Sequence, residues 1–209
     1  MTLEKLINNI EELKNSDISD IINKRIKEFK HFNKLSNDDL FKELCFCILT
    51  ANYSAERSIK IQEELSECFL NDSEEELSLK LKIKGHRFPN ARAKYISNSK
   101  NCKNSLSEVI KFHDNNALRD WIVKNVKGIG YKESSHFLRN IGFDDFAIID
   151  FHIVDILVEN NIIAKPKYLT KKNYIEIEKI LRNIAKKTDL SLAELDLYLW
   201  YMETGKILK

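Results

Sequence analysis

The stretch "VKGIGYKESSHFLRNIGFDDFAIIDFHI", residues 126–153, contains the features that decide the fold. In it, Gly128, Ile129 and Gly130 form a short turn between two segments with helical spacing. Two helices joined in this way make a hairpin, and glycine lets the backbone approach another surface closely. Because the N–H groups of the turn and of the next helix start point outward, they suit a phosphate. The sequence therefore predicts a phosphate-binding helical hairpin at about 118–141.

Helical spacing of apolar residues continues through most of the chain, and strand-like alternation is scarce. The sequence has only five glycines and two prolines to interrupt helices. Ser36 is placed to cap one helix, and Ser73 and Ser191 each precede a glutamate at capping-box spacing. These patterns predict an all-α protein of roughly ten to twelve helices.

Composition excludes several classes of protein. Hydrophobic residues make up 43% of the chain, which is enough for a core, and no run of 18 apolar residues predicts a membrane span. The start of the sequence has the pattern of an amphipathic helix, not of a signal peptide. We therefore expect a cytoplasmic protein that does not bind membranes.

Four cysteines, at 45, 47, 68 and 102, have spacings that fit neither a zinc site nor a metal cluster. We expect them to be buried, reduced thiols. The five histidines show no ligand spacing with cysteines or acids, so we expect no transition metal and no cofactor.

Basic residues are unevenly distributed, although the net charge is only +2. The segment Leu77–Ser107 has eight lysines and arginines and no acid, and Lys165–Lys187 is a second basic stretch. Such a distribution fits a basic face for a phosphate backbone, and it equally fits a solvated lysine-rich surface.

Two residues near the predicted hairpin suggest chemistry. Lys132 follows the turn directly, and Asp150 comes 18 positions later in "AIIDFHI". This order resembles the helix-hairpin-helix (HhH-GPD) DNA glycosylases. The segments 48–61 ("ILTANYSAERSIKI"), 86–96 ("HRFPNARAKYI") and 197–209 ("LYLWYMETGKILK") resemble one branch, the type-2 (archaeal-type) 8-oxoguanine DNA glycosylase/lyases. The loop before Asp150 departs from the superfamily pattern because it lacks proline, and no cysteine run resembles the iron–sulfur loop of the endonuclease III branch.

Such a glycosylase/lyase needs an amine and a carboxylate that face the same sugar. The N-glycosidic bond breaks with oxocarbenium character, which a carboxylate stabilises, and capture by an amine gives a Schiff base that permits β-elimination. A helix N-terminus and partial burial both disfavour the ammonium form of Lys132, which suits a nucleophile. Asp150 fits an ordinary N-cap as well as the catalytic carboxylate, and whether it deprotonates the lysine or stabilises the cation stays open. Asp144 and Asp145 match the motif less well.

The resemblance also implies a pocket for a base flipped out of the duplex. Phe88 and Trp200 match the aromatic residues that sandwich the base, and Lys209 places its amine or carboxylate near it. Two other interpretations remain open: Trp200 fits a core position beside Tyr201, and Lys209 fits a frayed tail.

Contacts with the DNA are implied for a further set of residues. Asn52 matches the residue that fills the gap left by the flipped base, although it also fits a capping position in a turn. Arg87 and Arg92 would contact phosphates or the orphaned base. The superfamily often holds a monovalent cation on the hairpin carbonyls, here around Lys127–Gly130, in a structural role.

Together these observations predict a two-lobed helical protein, with a central lobe at 37–145 and a second lobe from 1–36 and 146–209. The expected function is base-excision repair of 8-oxoguanine, with AP lyase activity, by a monomer on double-stranded DNA in the nucleoid. Two alternatives are a non-catalytic helix-hairpin-helix module and a glycosylase for another damaged base. The first needs neither Lys132 nor Asp150, so their presence favours the enzyme.

Overall fold

The computed structural model describes residues 2–32, 36–111 and 114–209. Within these ranges the chain forms α-helices and one 3-10 segment, Lys100–Ser105, and it has no strand. The α-helices are α1 (Leu3–Lys14), α2 (Ile18–Phe32), α3 (Asn37–Thr50), α4 (Ala55–Asn71), α5 (Glu74–Ile83), α6 (Pro89–Ser99), α7 (Leu106–Val109), α8 (Asn115–Asn125), α9 (Tyr131–Asn140), α10 (Phe151–Glu159), α11 (Lys171–Lys187) and α12 (Leu192–Thr204). The prediction of an all-α fold is confirmed.

Side-chain caps fix the starts of several helices. Ser36, Ser73 and Ser191 cap α3, α5 and α12, and each belongs to a capping box with the acid three residues later. A cap of this kind satisfies backbone N–H groups that have no partner inside the helix, and each stabilises the protein by about 1 kcal/mol.

The chain divides into two compact units. One unit is Phe32–Ile141, which contains α3 to α9, and the other combines Met1–His31 with Gly142–Lys209. The breaks fall at the end of α2 and just after α9, whereas the sequence placed the lobe limits at 37 and 145. In the structure, then, the division follows helix ends.

Helix α3 is the central element of the Phe32–Ile141 unit. It is buried from Leu40 to Thr50 except at Lys42, and it packs against α4, α6 and α9. One buried residue is charged: the two carboxylate oxygens of Glu43 accept hydrogen bonds from Asn140 Nδ2 at 2.6 Å and Gln62 Nε2 at 3.2 Å. These bonds offset the cost of burying the carboxylate and tie α3 to α4 and α9.

The other unit has its own apolar core. Residues of α2 and α12 form it: Ile22, Ile26, Phe29, Ala193, Leu197 and Tyr198. Helix α12 also packs against α1, α10 and α11. Each unit carries one tryptophan, Trp121 on α8 and Trp200 on α12.

Two further expectations can be compared with the described part of the chain. No described helix combines the length and the apolar character needed to cross a bilayer. All four cysteines are free thiols, and Cys45 and Cys47 are buried, whereas Cys68 and Cys102 are only partly buried. The expectation of burial is therefore wrong for the last two, because their helices leave one side open to solvent.

Candidate active site

The hairpin turn joins α8 to α9 by a close backbone approach. Gly128 has φ +81°, and a Cβ added there would lie 2.2 Å from a ring carbon of Tyr95. Ile129 is buried, so this residue can offer an external ligand only its backbone. Gly130 has φ −104°, a value open to any residue. Of the two glycines, only Gly128 is required by its conformation and its neighbour.

Small and charged side chains hold α8 against α9. Ser134 and Ser135 are completely buried, which lets the helices pack closely. Arg119 is also buried, donates a hydrogen bond from Nη1 to Ser135 Oγ at 3.3 Å, and lies with its guanidinium 5.0 Å from the centre of the Tyr131 ring. These contacts fix the direction of α9 and therefore the position of its first turn.

Lys132 is the second residue of α9, and its side chain is 25% exposed. Its Nζ lies 3.9 Å from Glu133 Oε1, while Glu133 Oε2 accepts a hydrogen bond from the backbone N–H of Gly130 at 3.3 Å. The field at Nζ is therefore mixed, because the helix N-terminus repels a cation and the carboxylate attracts one. The position of Lys132 at a helix start predicts only the first of these effects.

Asp150 is the N-cap of α10. Its Oδ1 accepts a hydrogen bond from the N–H of Ile153 at 3.1 Å, so Oδ2 is the oxygen that a further partner can approach. The preceding segment, Phe146–Ile149, is buried, and α11 holds it. Tyr174 Oη accepts from the Ile149 N–H and donates to the Ala147 carbonyl. The carboxylate consequently stands at the end of a segment with little freedom to move.

The two alternative aspartates are engaged elsewhere. Asp144 lies 3.5 Å from Lys30 Nζ, and Asp145 forms an ion pair with Arg182. Both side chains are about half exposed, at 52% and 51%. Asp150 fits the catalytic carboxylate better than either of them, since both are already paired with a cation.

Phe88 is an exposed aromatic residue at the start of α6. It is 37% exposed and forms the N-cap position before Pro89. The guanidinium groups of Arg87 and Arg92 lie 5.0 and 5.6 Å from the centre of its ring. A large ring that remains exposed although it is held in place is suited to stacking on a base.

The other predicted DNA contacts in this unit divide into exposed and buried residues. Asn52 is exposed in the turn between α3 and α4 and has φ +54°, and Arg87 is exposed as well. Arg92, by contrast, is 6% exposed and donates a hydrogen bond to the carbonyl of Ala51. Burial lowers the pKa of Arg92 from its ordinary value, while Tyr95 and Glu133 act in the opposite direction. The structure thus gives Arg92 an interior contact that the sequence did not predict.

Trp200 lies in the other unit, in a small aromatic group. The ring of His152 meets it edge to face, with centres 5.1 Å apart, and His152 also lies against the exposed Phe151, with centres 4.0 Å apart and planes tilted by 36°. Glu203 Oε1 lies 3.4 Å from His152 Nδ1. Trp200 is only partly buried, and its buried Nε1–H has no acceptor within the described part of the chain. Trp200 is therefore not an ordinary core residue.

The segment that ends at Lys209 is anchored. Gly205, with φ +68°, ends α12, and Ile207 packs against the core formed by α2 and α12. Lys209 itself is partly buried. A frayed tail is therefore the wrong interpretation of this segment.

Folding changes the predicted basic segment. Lys80, Lys84 and Lys103 form ion pairs with Asp72, Glu64 and Asp38. All three acids lie outside Leu77–Ser107, so the uneven distribution in the sequence does not become an equally uneven surface. No group of three or more histidine, cysteine or acidic side chains in the described ranges could hold a metal ion.

The predicted residues fall in both units. The unit Phe32–Ile141 contains Asn52, Arg87, Phe88, Arg92, the turn residues 128–130 and Lys132, whereas the other unit contains Asp150, Trp200 and Lys209.

Sequence reasoning missed Glu133, Tyr95, His86 and Tyr174. Of these, only Glu133 had a signal, its capping spacing from Gly130; Tyr95 and Tyr174 act through contacts that are distant in sequence, as does His86 in its bond to Leu49.

An all-α fold in which a lysine begins the second helix of a hairpin and an aspartate caps the next helix is the arrangement of the helix-hairpin-helix DNA glycosylase class. Comparison with known proteins identifies the branch. A family model described as 8-oxoguanine DNA glycosylase matches residues 22–190. An 8-oxoguanine DNA glycosylase/AP lyase of Methanocaldococcus jannaschii is 56% identical over 98% of this chain and 99% of its own, and one of Korarchaeum cryptofilum is 49% identical over all of both chains.

Solved structures agree with this assignment. The crystal structure of the Methanocaldococcus jannaschii glycosylase/lyase in complex with a 15mer DNA containing 8-oxoguanine has a TM-score of 0.96 and 55% identity, covering 98% of this chain and 100% of that one. The 8-oxoguanine DNA glycosylase of Thermotoga maritima has a TM-score of 0.94 and 39% identity, covering 99% and 100%. The chain belongs to the 8-oxoguanine DNA glycosylase family.

Proposed function

We propose that Lys132 and Asp150 are the catalytic residues with which this chain performs base-excision repair. The chain is a bifunctional enzyme: it removes 8-oxoguanine from DNA and then cleaves the strand as an AP lyase, through a Schiff base on a lysine. A non-catalytic helix-hairpin-helix module would not account for this family membership.

Lys132 has the features that the nucleophile needs. In the first step its neutral Nζ attacks C1′ of the deoxyribose, the C1′–N9 bond breaks, and the base leaves with the bonding electron pair and gains a proton. The nitrogen lone pair then expels O4′ from C1′, which opens the sugar ring; O4′ gains a proton, and the product is a protonated Schiff base that can accept electrons from C2′. Removal of a proton from C2′ then expels the 3′ phosphate. The rigid first turn of α9 holds the amine for both steps.

Asp150 is suited to stabilising positive charge on the sugar. Its hydrogen bond to the Ile153 N–H fixes one carboxylate oxygen, and the buried segment before Asp150 restricts movement of the backbone that carries it. A fixed negative charge near C1′ lowers the energy of the oxocarbenium-like transition state and needs no reorganisation during the reaction. The role requires Asp150 and Lys132 to face the same deoxyribose.

The base contacts are assigned to Phe88, Trp200 and Lys209. Phe88 offers an exposed ring, and Trp200 offers a partly buried ring held by His152. The anchored segment after α12 gives Lys209 a defined place. Stacking on an aromatic side chain stabilises an extruded base by about 1–3 kcal/mol.

The DNA backbone contacts are assigned to the hairpin turn and to Arg87. Gly128 and Gly130 expose backbone groups at the start of α9, where a phosphate is favoured. Asn52, exposed at φ +54°, is the proposed occupant of the gap in the duplex. We propose that the protein acts as a monomer in the cytoplasm, on the nucleoid.

The observation that carries the assignment is the fixed position of Lys132 in the first turn of the hairpin helix. A borohydride trapping experiment tests it. Incubated with a duplex containing 8-oxoguanine, the wild-type protein should form a covalent adduct, and Lys132→Gln should form none. Lys127→Gln is the control, because it removes the same charge from an exposed lysine of the same turn. Equal trapping by Lys132→Gln would overturn the assignment.

A further inference from the structure

The turn before Phe88 is fixed by a histidine that bonds on both sides of its ring. His86 Nδ1 lies 3.0 Å from the backbone nitrogen of Phe88, which donates the hydrogen bond. On the other side, Nε2 lies 3.1 Å from the carbonyl oxygen of Leu49 at the end of α3. Because Nδ1 accepts a hydrogen bond, it carries no hydrogen itself. The ring hydrogen must therefore be on Nε2, which donates it to the Leu49 carbonyl. His86 is therefore neutral, in the Nε2–H tautomer.

The surroundings of His86 favour this neutral form. The residue is only 4% exposed, and burial lowers the pKa of His86 from its ordinary value; the charge of Arg92 acts in the same direction and the bond to Leu49 opposes it. Its ring lies against that of Tyr53, with centres 4.1 Å apart and planes tilted by 38°, and the Tyr53 hydroxyl donates a hydrogen bond to the Gly85 carbonyl at 3.0 Å. The segment from Gly85 to Phe88 is thus held at three points.

A second hydrogen bond attaches the start of α6 to the turn between α3 and α4, which contains Asn52. Arg92 donates to the carbonyl of Ala51, the residue directly before Asn52, and its guanidinium lies against Phe88. The backbone carbonyls of Leu49 and Ala51 therefore hold the segment that carries Phe88 next to the turn that carries Asn52. These two exposed residues have positions set by one set of hydrogen bonds within one unit, although 36 positions separate them in the sequence.

We propose that His86 is a positioning residue that fixes the Phe88 ring relative to the Asn52 turn before DNA binds. The inference rests on the proposed function, in which Phe88 stacks on the extruded base and Asn52 fills its place. His86 itself touches no substrate in this scheme. By fixing the Phe88 ring before DNA binds, His86 removes the entropy cost of ordering that ring on binding.

The two steps of the reaction should depend on His86 differently. Base release requires the oxidised base to be held against Phe88 while the glycosidic bond breaks. At an abasic site no base is present, so β-elimination by Lys132 does not need Phe88. A positioning role predicts a selective loss of base release, whereas a general folding defect would slow both steps.

Three substitutions at His86 remove its two hydrogen bonds singly or together. In His86→Asn the amide oxygen takes the place of Nδ1 and can still accept from Phe88. In His86→Gln the amide nitrogen takes the place of Nε2 and can still donate to Leu49, but the Phe88 N–H loses its acceptor. His86→Leu loses both bonds. Tyr53→Phe keeps the stacked ring and removes only the bond to Gly85.

The experiment measures single-turnover release of 8-oxoguanine and, separately, cleavage of a duplex with a preformed abasic site. We expect His86→Asn to keep base release within about 3-fold of wild type and His86→Gln to lose about 10-fold, as expected for one lost hydrogen bond that leaves a donor unsatisfied. Abasic-site cleavage should stay within about 3-fold for both variants, since Lys132 is untouched. Nitrogen NMR of the wild-type protein should show the Nε2–H tautomer.

Three results would overturn the inference: equal base release in His86→Gln and His86→Asn, parallel losses in both steps, or a different tautomer. If His86→Leu does not fold, the comparison of the Asn and Gln variants still decides the question. The proposed function fails separately, if Lys132→Gln is trapped on DNA as efficiently as wild type.

Discussion

At the scale of single residues, we propose that Asp150 combines two functions in one carboxylate. One oxygen caps α10, and the other is proposed to face the sugar. The two functions depend on different properties, because a cap needs a hydrogen-bond acceptor and catalysis needs a negative charge. A substitution that removes only the charge can separate them.

Asp150→Asn should leave stability nearly unchanged and suppress base release. Asparagine is about as good an N-cap as aspartate, so we expect the free energy of unfolding to change by less than about 0.5 kcal/mol. Loss of the charge should slow base release by about 100-fold or more. Urea unfolding and single-turnover kinetics measure the two effects.

The matched control is Thr170→Ala. Thr170 caps α11 in the same unit, through a bond from the N–H of Asn173, and its loss should cost about 1 kcal/mol without slowing the reaction. If base release stayed as fast in Asp150→Asn as in this control, the charge would have no catalytic role and capping would be the whole role of Asp150.

The limits of sequence reasoning are visible at this scale. Lys132 and Asp150 could be proposed from the sequence because both lie at fixed distances from a glycine turn in one continuous stretch. Burial of Arg92 and the bond from His86 to Leu49 could not, since the partners, Ala51 and Leu49, lie 41 and 37 positions away. Short spacings are readable in a sequence, whereas contacts between helices depend on how those helices pack.

At the scale of the element, the hairpin shows that its two glycines are not equivalent. Gly128 has a positive φ, and the Tyr95 ring occupies the space that a side chain there would need. Gly130 is extended and has room for a methyl group. Sequence reasoning found the turn but treated both glycines alike, because backbone angles and the approach of Tyr95 are set by the fold.

Gly128→Ala should therefore be far more harmful than Gly130→Ala. The added methyl group at Gly128 meets both an unfavourable φ and an aromatic ring, so we expect a loss of at least about 2 kcal/mol of stability and weaker DNA binding. At Gly130 the nearest atom, an oxygen of Glu133, is 3.5 Å away, and we expect a change within about 1 kcal/mol. Thermal unfolding and DNA titrations measure both effects, and equal losses would contradict this distinction.

Helix starts were the elements most accessible from sequence. Ser36, Ser73 and Ser191 were correctly predicted to cap α3, α5 and α12, because a cap involves residues only three positions apart. The buried connection before Asp150 gave no comparable signal, since Tyr174 of α11 supplies its hydrogen bonds.

At the scale of the whole molecule, folding redistributes charge. Acids of α3, α4 and the turn after α4 reach Lys80, Lys84 and Lys103, so a segment without a single acid in sequence is partly neutralised in the structure. Arg87 lies in the same segment, is exposed, and stands next to Phe88. Position in the fold, not density in the sequence, decides which basic residue is available to DNA.

The salt dependence of DNA binding should distinguish the two kinds of residue. Arg87→Ala should reduce the slope of log affinity against log salt by about 0.9, the value for one lost phosphate contact. Lys103→Ala changes the net charge by the same amount, but its Nζ already bonds Asp38 at 2.6 Å, so we expect an unchanged slope. Identical slopes for the two variants would remove Arg87 from the interface.

Having one tryptophan in each unit gives the molecule two built-in optical labels. Replacing Trp121 with phenylalanine leaves an emission signal only from Trp200, beside His152, where an arriving guanine would quench it. Replacing Trp200 with phenylalanine, which keeps an aromatic ring at the proposed base contact, leaves a signal only from Trp121 on α8, the first helix of the hairpin. The two single-tryptophan proteins would time, by stopped-flow fluorescence, when each half of the enzyme responds to its substrate.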